Sequence, residues 1–284
     1  MFSDQDSRGV ALVTGAASGL GRTLSVRLAR AGYTLWMTDV ALDRLEEVHD
    51  VVRPLSPQSR AFSLDVSAPA DWARAAAELE SQDTPLELLV NCAGLLAVGD
   101  FFATPPEQIK QVVQVNLLGT IYGCQALGQQ LIASPRDAHI VNVASCAGFL
   151  TFPWSSSYNA TKAGVLAYSE TLANELANSS VSVTVACPGF FSSSLLEAAH
   201  CTDAVTSKCM QRVFERSTLT VDQVADAIMT AIRRQKLYVL VPFKVRCWWW
   251  YKRFLPARLM RSIQRIATRL RSRWAVRVAN GHED

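Results

Sequence analysis

Tyr158-Asn159-Ala160-Thr161-Lys162 sets a phenol and an ammonium four residues apart in a stretch that reads as helix, which brings both to one face. A free tyrosine has a pKa of about 10 and is a poor base at neutral pH. A lysine cation beside it stabilises the phenolate, so its pKa is expected to fall toward the working range. Such a pair exchanges protons with an alcohol or a carbonyl. The same spacing also arises by chance on solvated helix faces, so its company decides.

A second constellation lies near the amino end. Thr14-Gly15-Ala16-Ala17-Ser18-Gly19-Leu20-Gly21 follows the apolar run Val10–Val13 and opens a helical stretch. Glycines permit a tight turn and close approach of backbone to a pyrophosphate. The helix N-terminus adds unpaired N–H groups and a partial positive charge. Strand, turn and helix in this order predict a dinucleotide site. A triphosphate-binding loop is disfavoured, because Arg22 follows where Gly-Lys-Ser/Thr would be needed. Asp39 ends the next strand, 24 residues after Gly15. A carboxylate there accepts both ribose hydroxyls of an adenosine and repels a 2′-phosphate. Ser18 and Val40 supply no cation to offset that repulsion, so NAD(H) is expected over NADP(H). The alternative is that Asp39 only caps the following helix.

The elements that must position these groups alternate along the chain. Candidate strands are Val10–Val13, Thr34–Thr38, Arg60–Leu64, Leu86–Val90, His139–Val143, Ser182–Ala186 and Leu237–Leu240. Between them lie helical stretches such as Leu20–Ala31, Asp71–Glu80, Pro106–Ile132, Tyr158–Leu176 and Val221–Arg233. The strands are continuously apolar, as expected of a parallel sheet covered on both faces. The predicted fold is α/β, a doubly wound parallel sheet of Rossmann type. Residues 1–242 read as one domain and residues 243–284 as a helical C-terminal extension.

With Asp65-Val66, Asn91-Cys92-Ala93-Gly94, Asn116, Ser145 and Pro188-Gly189 added, the order and spacing resemble the short-chain dehydrogenase/reductase family from about Val10 to Leu240. The resemblance implies seven parallel strands, a nicotinamide cofactor and a catalytic tetrad. Tyr158 would then be the general acid/base and Ser145 would hydrogen-bond the substrate oxygen. Lys162 would bind the nicotinamide ribose, and Asn116 would hold a water that relays protons from Lys162. The implied cofactor contacts are Thr14, Gly15, Ser18, Gly19, Leu20, Gly21, Asp39, Asp65, Val66, Asn91, Ala93, Gly94, Tyr158, Lys162, Pro188, Gly189 and Ser193. Thr14 would brace the turn against the Asn91–Gly94 segment. The family also implies a homodimer or homotetramer through the helices that carry Asn116 and Tyr158.

Leu95–Val98, Cys146–Trp154 and Phe190–Phe214 are expected to face substrate, with Phe149, Phe152, Trp154, Phe190 and Phe191 among them and Cys146 as pocket lining. Such a wall suits a lipophilic alcohol or ketone, a steroid, retinoid or fatty chain. Core or subunit-interface packing is the competing reading. A non-catalytic dinucleotide sensor or scaffold is the rival function, but a sensor has no need of Tyr158 and Lys162. A hydrolase fits less well: Ser145 lacks the G-x-S-x-G frame, and no histidine falls in a recognised catalytic motif.

At 49% hydrophobic and 19% charged, with a mean hydropathy of +0.12, the chain is not a disordered one. The net charge of +3 conceals an asymmetry. Residues 1–235 hold 16 Lys+Arg against 23 Asp+Glu, whereas residues 236–284 hold 12 against Glu283 and Asp284 alone. Cys247-Trp248-Trp249-Trp250-Tyr251 precedes a helical run from Pro256. There Leu259, Met260, Ile263, Ile266, Ala267, Leu270 and Trp274 make one stripe, and Arg261, Arg265, Arg269 and Arg273 lie toward the other side. Three readings stay open for this tail: attachment to an anionic membrane surface, packing on the body or a partner subunit, and nucleic-acid binding, which lacks any reading motif. The polar start, the scattered seven cysteines and the absence of metal-ligand spacing predict a cytoplasmic, metal-free protein, peripheral on a membrane if the tail attaches to one.

Overall fold

The structure is a computed structural model, describing residues 8–191, 199–202 and 204–279. Its centre is a seven-stranded parallel sheet in the order β3-β2-β1-β4-β6-β7-β9. The strands are β1 (Val10–Thr14), β2 (Thr34–Asp39), β3 (Arg60–Ser63), β4 (Leu86–Asn91), β6 (Ala138–Val143), β7 (Val181–Pro188) and β9 (Tyr238–Val241). All five residues of β1 and all six of β4 are buried, which is why both are mostly apolar; within β4 the buried Glu87 is paired with Arg136. Alternate side chains of β1 serve opposite layers. Ala11 and Val13 pack with α1 (Gly19–Arg30), α2 (Leu42–Val52) and α9 (Val221–Arg233), through Leu24, Leu28, Leu45, Val48 and Ile228. Val10 and Leu12 pack with α3 (Pro69–Glu80) and α5 (Gly119–Ile132), through Trp72, Leu79, Leu127 and Leu131.

Helix ends follow local chemistry. α9 begins with a capping box between Thr220 and Gln223. The N-cap of α1, Ser18, makes no side-chain capping bond, and no acidic residue follows in its first turn. That leaves its N–H groups facing outward for another acceptor. Arg27, at its far end, pairs with Asp222 and Asp226 of α9.

Two departures from the expected elements shape the active face. The helical path from Pro106 to Ile132 is not one α-helix. α4 (Pro106–Val113) passes into a π-helical turn, Gln114–Leu118, before α5 resumes. A π-turn inserts one residue per turn and re-aims the side chains within it, here Asn116. A pair of two-residue strands, β5 (Ala97–Val98) and β8 (His200–Cys201), also joins segments about a hundred residues apart. Beyond β8 lies α8 (Ala204–Glu215). The remaining helices are α6 (Ala147–Leu150), α7 (Ser156–Glu175), α10 (Phe243–Phe254) and α11 (Pro256–Ala279). Among the described residues, no helix is long and apolar enough to cross a membrane.

Inside the sheet, His139 on β6 is buried, and burial holds its imidazole at about 4, well below the usual range. Its Nε2 lies 2.7 Å from Thr184 Oγ1, and that hydroxyl donates to Lys236 O. With the Thr184 proton so used, the neutral ring carries its hydrogen on Nε2.

Candidate active site

A cleft of about 660 Å³ opens at the carboxyl ends of the strands, where the sheet order reverses between β1 and β4. That is the place at which doubly wound sheets leave a crevice. Gly15, Ser18, Gly19, Leu20 and Gly21 line one wall. Gly15 (φ +66°) and Gly19 (φ +50°) occupy the left-handed region. A Cβ on Gly15 would lie 2.8 Å from Ala93 Cα, and one on Gly21 would lie 2.1 Å from Gly15 O. Thr14 ties the turn down: its Oγ1 accepts from Cys92 N at 3.0 Å and Ala93 N at 3.1 Å.

Asp39 stands at one end of the cleft. Its carboxylate accepts from Ala17 N and Ala41 N, both at 3.0 Å, so it braces the glycine turn and the start of α2 together. Asp65 and Val66 line the wall beside it. Arg44, one turn into α2, also lines this end, a cation that residues 39 and 40 alone did not reveal. The residues fit a dinucleotide: a glycine cradle that Cβ atoms would fill, an uncapped helix N-terminus, and a carboxylate at the far end.

At the opposite end Ser145, Tyr158 and Lys162 converge on the cleft. The Ser145 hydroxyl neighbours the Tyr158 phenol, whose pKa it lowers, and accepts from Ala147 N at 3.1 Å. Lys162 Nζ donates to Val143 O at 2.8 Å and sits 5.8 Å from the Tyr158 ring centre. The expected lowering of the tyrosine pKa rests on a positive nicotinamide ring as well as on Lys162; the protein's own groups push the other way. Burial pushes the Tyr158 phenol up, more than the Ser145 hydrogen bond lowers it. Lys162 is itself pulled down to about 8 by burial, against the opposing influence of Cys92 and Cys187. Desolvation is the largest influence on the phenol.

Asn116 is fully buried and is not part of the cleft wall. Its Oδ1 accepts from Leu95 N at 2.7 Å, and its Nδ2 donates to Leu95 O at 2.9 Å and to Thr161 Oγ1 at 3.3 Å. It fixes the strand-to-loop turn after β4 against α7. A Cβ on Gly94 would come within 3.3 Å of Asn116 Oδ1 and 3.5 Å of Lys162 Nζ, so these groups crowd one corner. Ala93, Gly94, Pro188 and Gly189 line the cleft as well. Asn91 lies beneath it: its Nδ2 donates to Asn142 Oδ1 at 2.9 Å, and Asn142 Nδ2 donates to Ser169 Oγ at 3.0 Å. Ser193 lies outside the described residues.

Leu95, Leu96, Phe190, Phe191 and Phe214 surround the open space next to Tyr158. The Phe190 ring sits 4.9 Å from Phe152 and 5.3 Å from Phe214. Four expected wall residues do not line the cleft, Phe152 standing behind Phe190. Cys146 is buried with Val185, Cys187 and Val245, where its N–H donates to Pro188 O at 2.9 Å. Phe149 turns away from the cleft because Trp249 of α10 covers it, edge to face at 4.9 Å. Trp154 contributes its carbonyl, which accepts from Gly99 N at 2.7 Å, rather than a cleft-facing ring. Gln111, Gln114 and Val115 line the cleft without having been anticipated, the first from α4 and the other two from the π-turn that follows it.

The family model described as short chain dehydrogenase matches residues 9–203. A probable oxidoreductase, EphD, of Mycobacterium tuberculosis is 31% identical over 233 residues, 79% of this chain but 39% of that protein. The chain thus spans well under half the length of that relative. Estradiol 17-beta-dehydrogenase 11 of Pongo abelii is 27% identical over 259 residues, covering 90% of this chain and 82% of the relative. A Burkholderia phymatum short chain dehydrogenase/reductase solved with NAD superposes with a TM-score of 0.77 at 28% identity, covering 82% of this chain and 88% of that one. A Sphingobium yanoikuyae short-chain dehydrogenase solved with NADPH gives 0.74 at 26% identity, covering 89% and 95%. With the parallel sheet, the glycine cradle and the Ser145–Tyr158–Lys162 corner in place, the match over residues 9–203 establishes that this chain belongs to the short-chain dehydrogenase family.

Proposed function

We propose that this chain is a nicotinamide-dependent oxidoreductase that interconverts an alcohol and a carbonyl, with Tyr158 as general acid/base. The observation that carries this reading is the convergence of Ser145, Tyr158 and Lys162 on one end of the cleft beside Gly189. When bound, the nicotinamide ring supplies or takes up hydride at its C4. Ser145 holds the substrate oxygen, and the Tyr158 phenol, kept neutral by burial, gives its proton to that oxygen as a carbonyl is reduced. In oxidation the alcohol proton returns to the tyrosine oxygen. Lys162, on the same cleft wall, would hold the ribose and supply a cation near the tyrosine. The glycine turn and the N-terminus of α1 hold the pyrophosphate.

Asp39 supports a preference for NAD(H), with Arg44 as the local counterweight. The aromatic and aliphatic residues around Tyr158 support a lipophilic substrate, and the steroid dehydrogenase named above is consistent with that class. The test is a screen of steroid, retinoid, fatty and short-chain alcohols, run in parallel with NAD and NADP. The expected result is selective turnover of lipophilic alcohols and a higher kcat/KM with NAD. Turnover of small polar alcohols alone would reject the substrate class, and equal efficiency with NADP would reject the cofactor preference.

The reading extends to an anionic membrane surface. Phe243, Trp250 and Phe254 are exposed on α10, and Arg258, Arg261 and Arg265 are exposed on α11. Aromatic rings among cations suit a headgroup layer. The opposite face of the tail is spent on the body, where Val245, Trp249 and Leu259 are buried. Co-sedimentation with phosphatidylserine vesicles should exceed that with neutral ones, and equal partitioning would end this part of the proposal. Light scattering on the same sample is expected to report a dimer or tetramer, and a monomer would reject that assembly.

A further inference from the structure

The C-terminal segment does more in this fold than extend from it. α10 follows β9 directly and packs on α6, the short helix just after Ser145. Three of its residues face the catalytic loops. Val245 is fully buried, and a Cβ on Gly189 would lie 3.2 Å from its Cγ2. Trp249 covers Phe149, with Arg253 stacked on its indole at 4.7 Å. Lys252 Nζ donates to Phe149 O.

The loops so gripped are themselves joined. Cys146 N donates to Pro188 O at 2.9 Å, and Gly189 N donates to Val241 O at 2.7 Å. The segment after Ser145, the Pro188-Gly189 turn, the end of β9 and α10 therefore form one bonded unit. The connection between Ser145 and Tyr158 is also strained. Thr151 (φ +53°) and Trp154 (φ +60°) both sit in the left-handed region without being glycine. Such conformations are costly for residues other than glycine and persist only where the surroundings over-determine them. At Thr151 the surroundings include the tail, because its Oγ1 lies 3.4 Å from Met260 Sδ of α11.

We propose that Val245, Trp249 and Lys252 are positioning residues for the reaction: they hold the Ser145-to-Tyr158 segment and the Gly189 turn at reacting distance. The proposal rests on the reading of Ser145 and Tyr158 given above. An error of about 1 Å at a reacting centre can cost 10²-fold in rate, so a distant support of this kind has leverage.

The test uses the full chain with Trp249→Ala and Lys252→Met, their conservative partners Trp249→Phe and Lys252→Arg, and Cys247→Ala on the exposed side of α10. NADH oxidation is followed with diacetyl and with a 17-ketosteroid, NADH affinity by fluorescence, and amide hydrogen exchange across residues 146–151 by mass spectrometry. Trp249→Ala and Lys252→Met should lower kcat about tenfold or more, with KM and NADH affinity within threefold. Exchange at residues 146–151 should quicken at least tenfold. Trp249→Phe and Lys252→Arg should recover most of both effects, and Cys247→Ala should change neither. Unchanged exchange in Trp249→Ala overturns the proposal whether or not either ketone is a good substrate. NADH affinity falling in step with kcat also overturns it, since that marks general damage. Tyr158→Phe in the same assay separates the two ideas: an active Tyr158→Phe rejects the catalytic reading, whereas an inactive one beside a fully active Trp249→Ala rejects the positioning role alone.

Discussion

Tyr158→Phe should lower kcat/KM by about 10²- to 10⁴-fold while leaving NADH affinity within about threefold of the parent, the range expected when a general acid/base is removed. The substitution deletes one oxygen from a buried ring and keeps its volume, so the packing against Leu96, Ala147 and Phe214 is retained. Ser145 keeps its bond from Ala147 N, so the serine stays in place when its phenol partner is gone. The stability change should therefore be about 1 kcal/mol, the net worth of one hydrogen bond. Rate constants for the best alcohol of the screen, measured beside NADH titrations, check both halves. A variant within fivefold of the parent would remove Tyr158 from the chemistry.

The second large effect is expected at Gly21→Ala, which should weaken NADH binding at least about 100-fold, roughly 3 kcal/mol. The methyl would sit 2.1 Å from Gly15 O and 2.7 Å from Gly15 C. Both are backbone atoms of the turn that must cradle the pyrophosphate, and Gly15 is itself pressed against Ala93. Neither side can yield without opening the cradle. Gly128→Ala on α5 is the matched control, because nothing lies within 4 Å of its added Cβ. It should bind NADH normally and be neutral or stabilising by up to about 1 kcal/mol. Normal binding by Gly21→Ala would show that the turn is not where the phosphates rest.

The sequence made the sheet and the cradle legible for a physical reason: strands buried on both faces are mostly apolar, and a φ above zero favours glycine. Elements held by tertiary contact were opaque. α2 has only Leu45, Val48 and Val52 inside, among charged neighbours, and so Arg44 was not placed at the cleft. β5 and β8 are two residues each and exist only because they meet one another. Asn116 was read as part of a continuous helix, since one inserted residue leaves no mark on the apolar pattern. Phe149 was assigned to substrate because nothing in its own neighbourhood shows that Trp249 comes to cover it. The upward push on Tyr158 was hidden for a related reason: spacing shows the lysine, but not the water that burial removes.

The pair Asn91 and Asn142 has a consequence for how the chain reaches this state. The two residues are direct register partners on β4 and β6, joined side chain to side chain and onward to Ser169 of α7. Parallel apolar strands are easily mispaired, because one valine resembles the next. A slip of β6 along β4 would bury these amides without partners, at about 1–3 kcal/mol for each group left unpaired. The two polar side chains therefore act as a proofreading mark during folding, and they stand just before Cys92–Gly94 on one strand and three residues before Ser145 on the other. The chain that finds its register there has also set the distance between the Cys92–Gly94 wall of the cleft and Ser145.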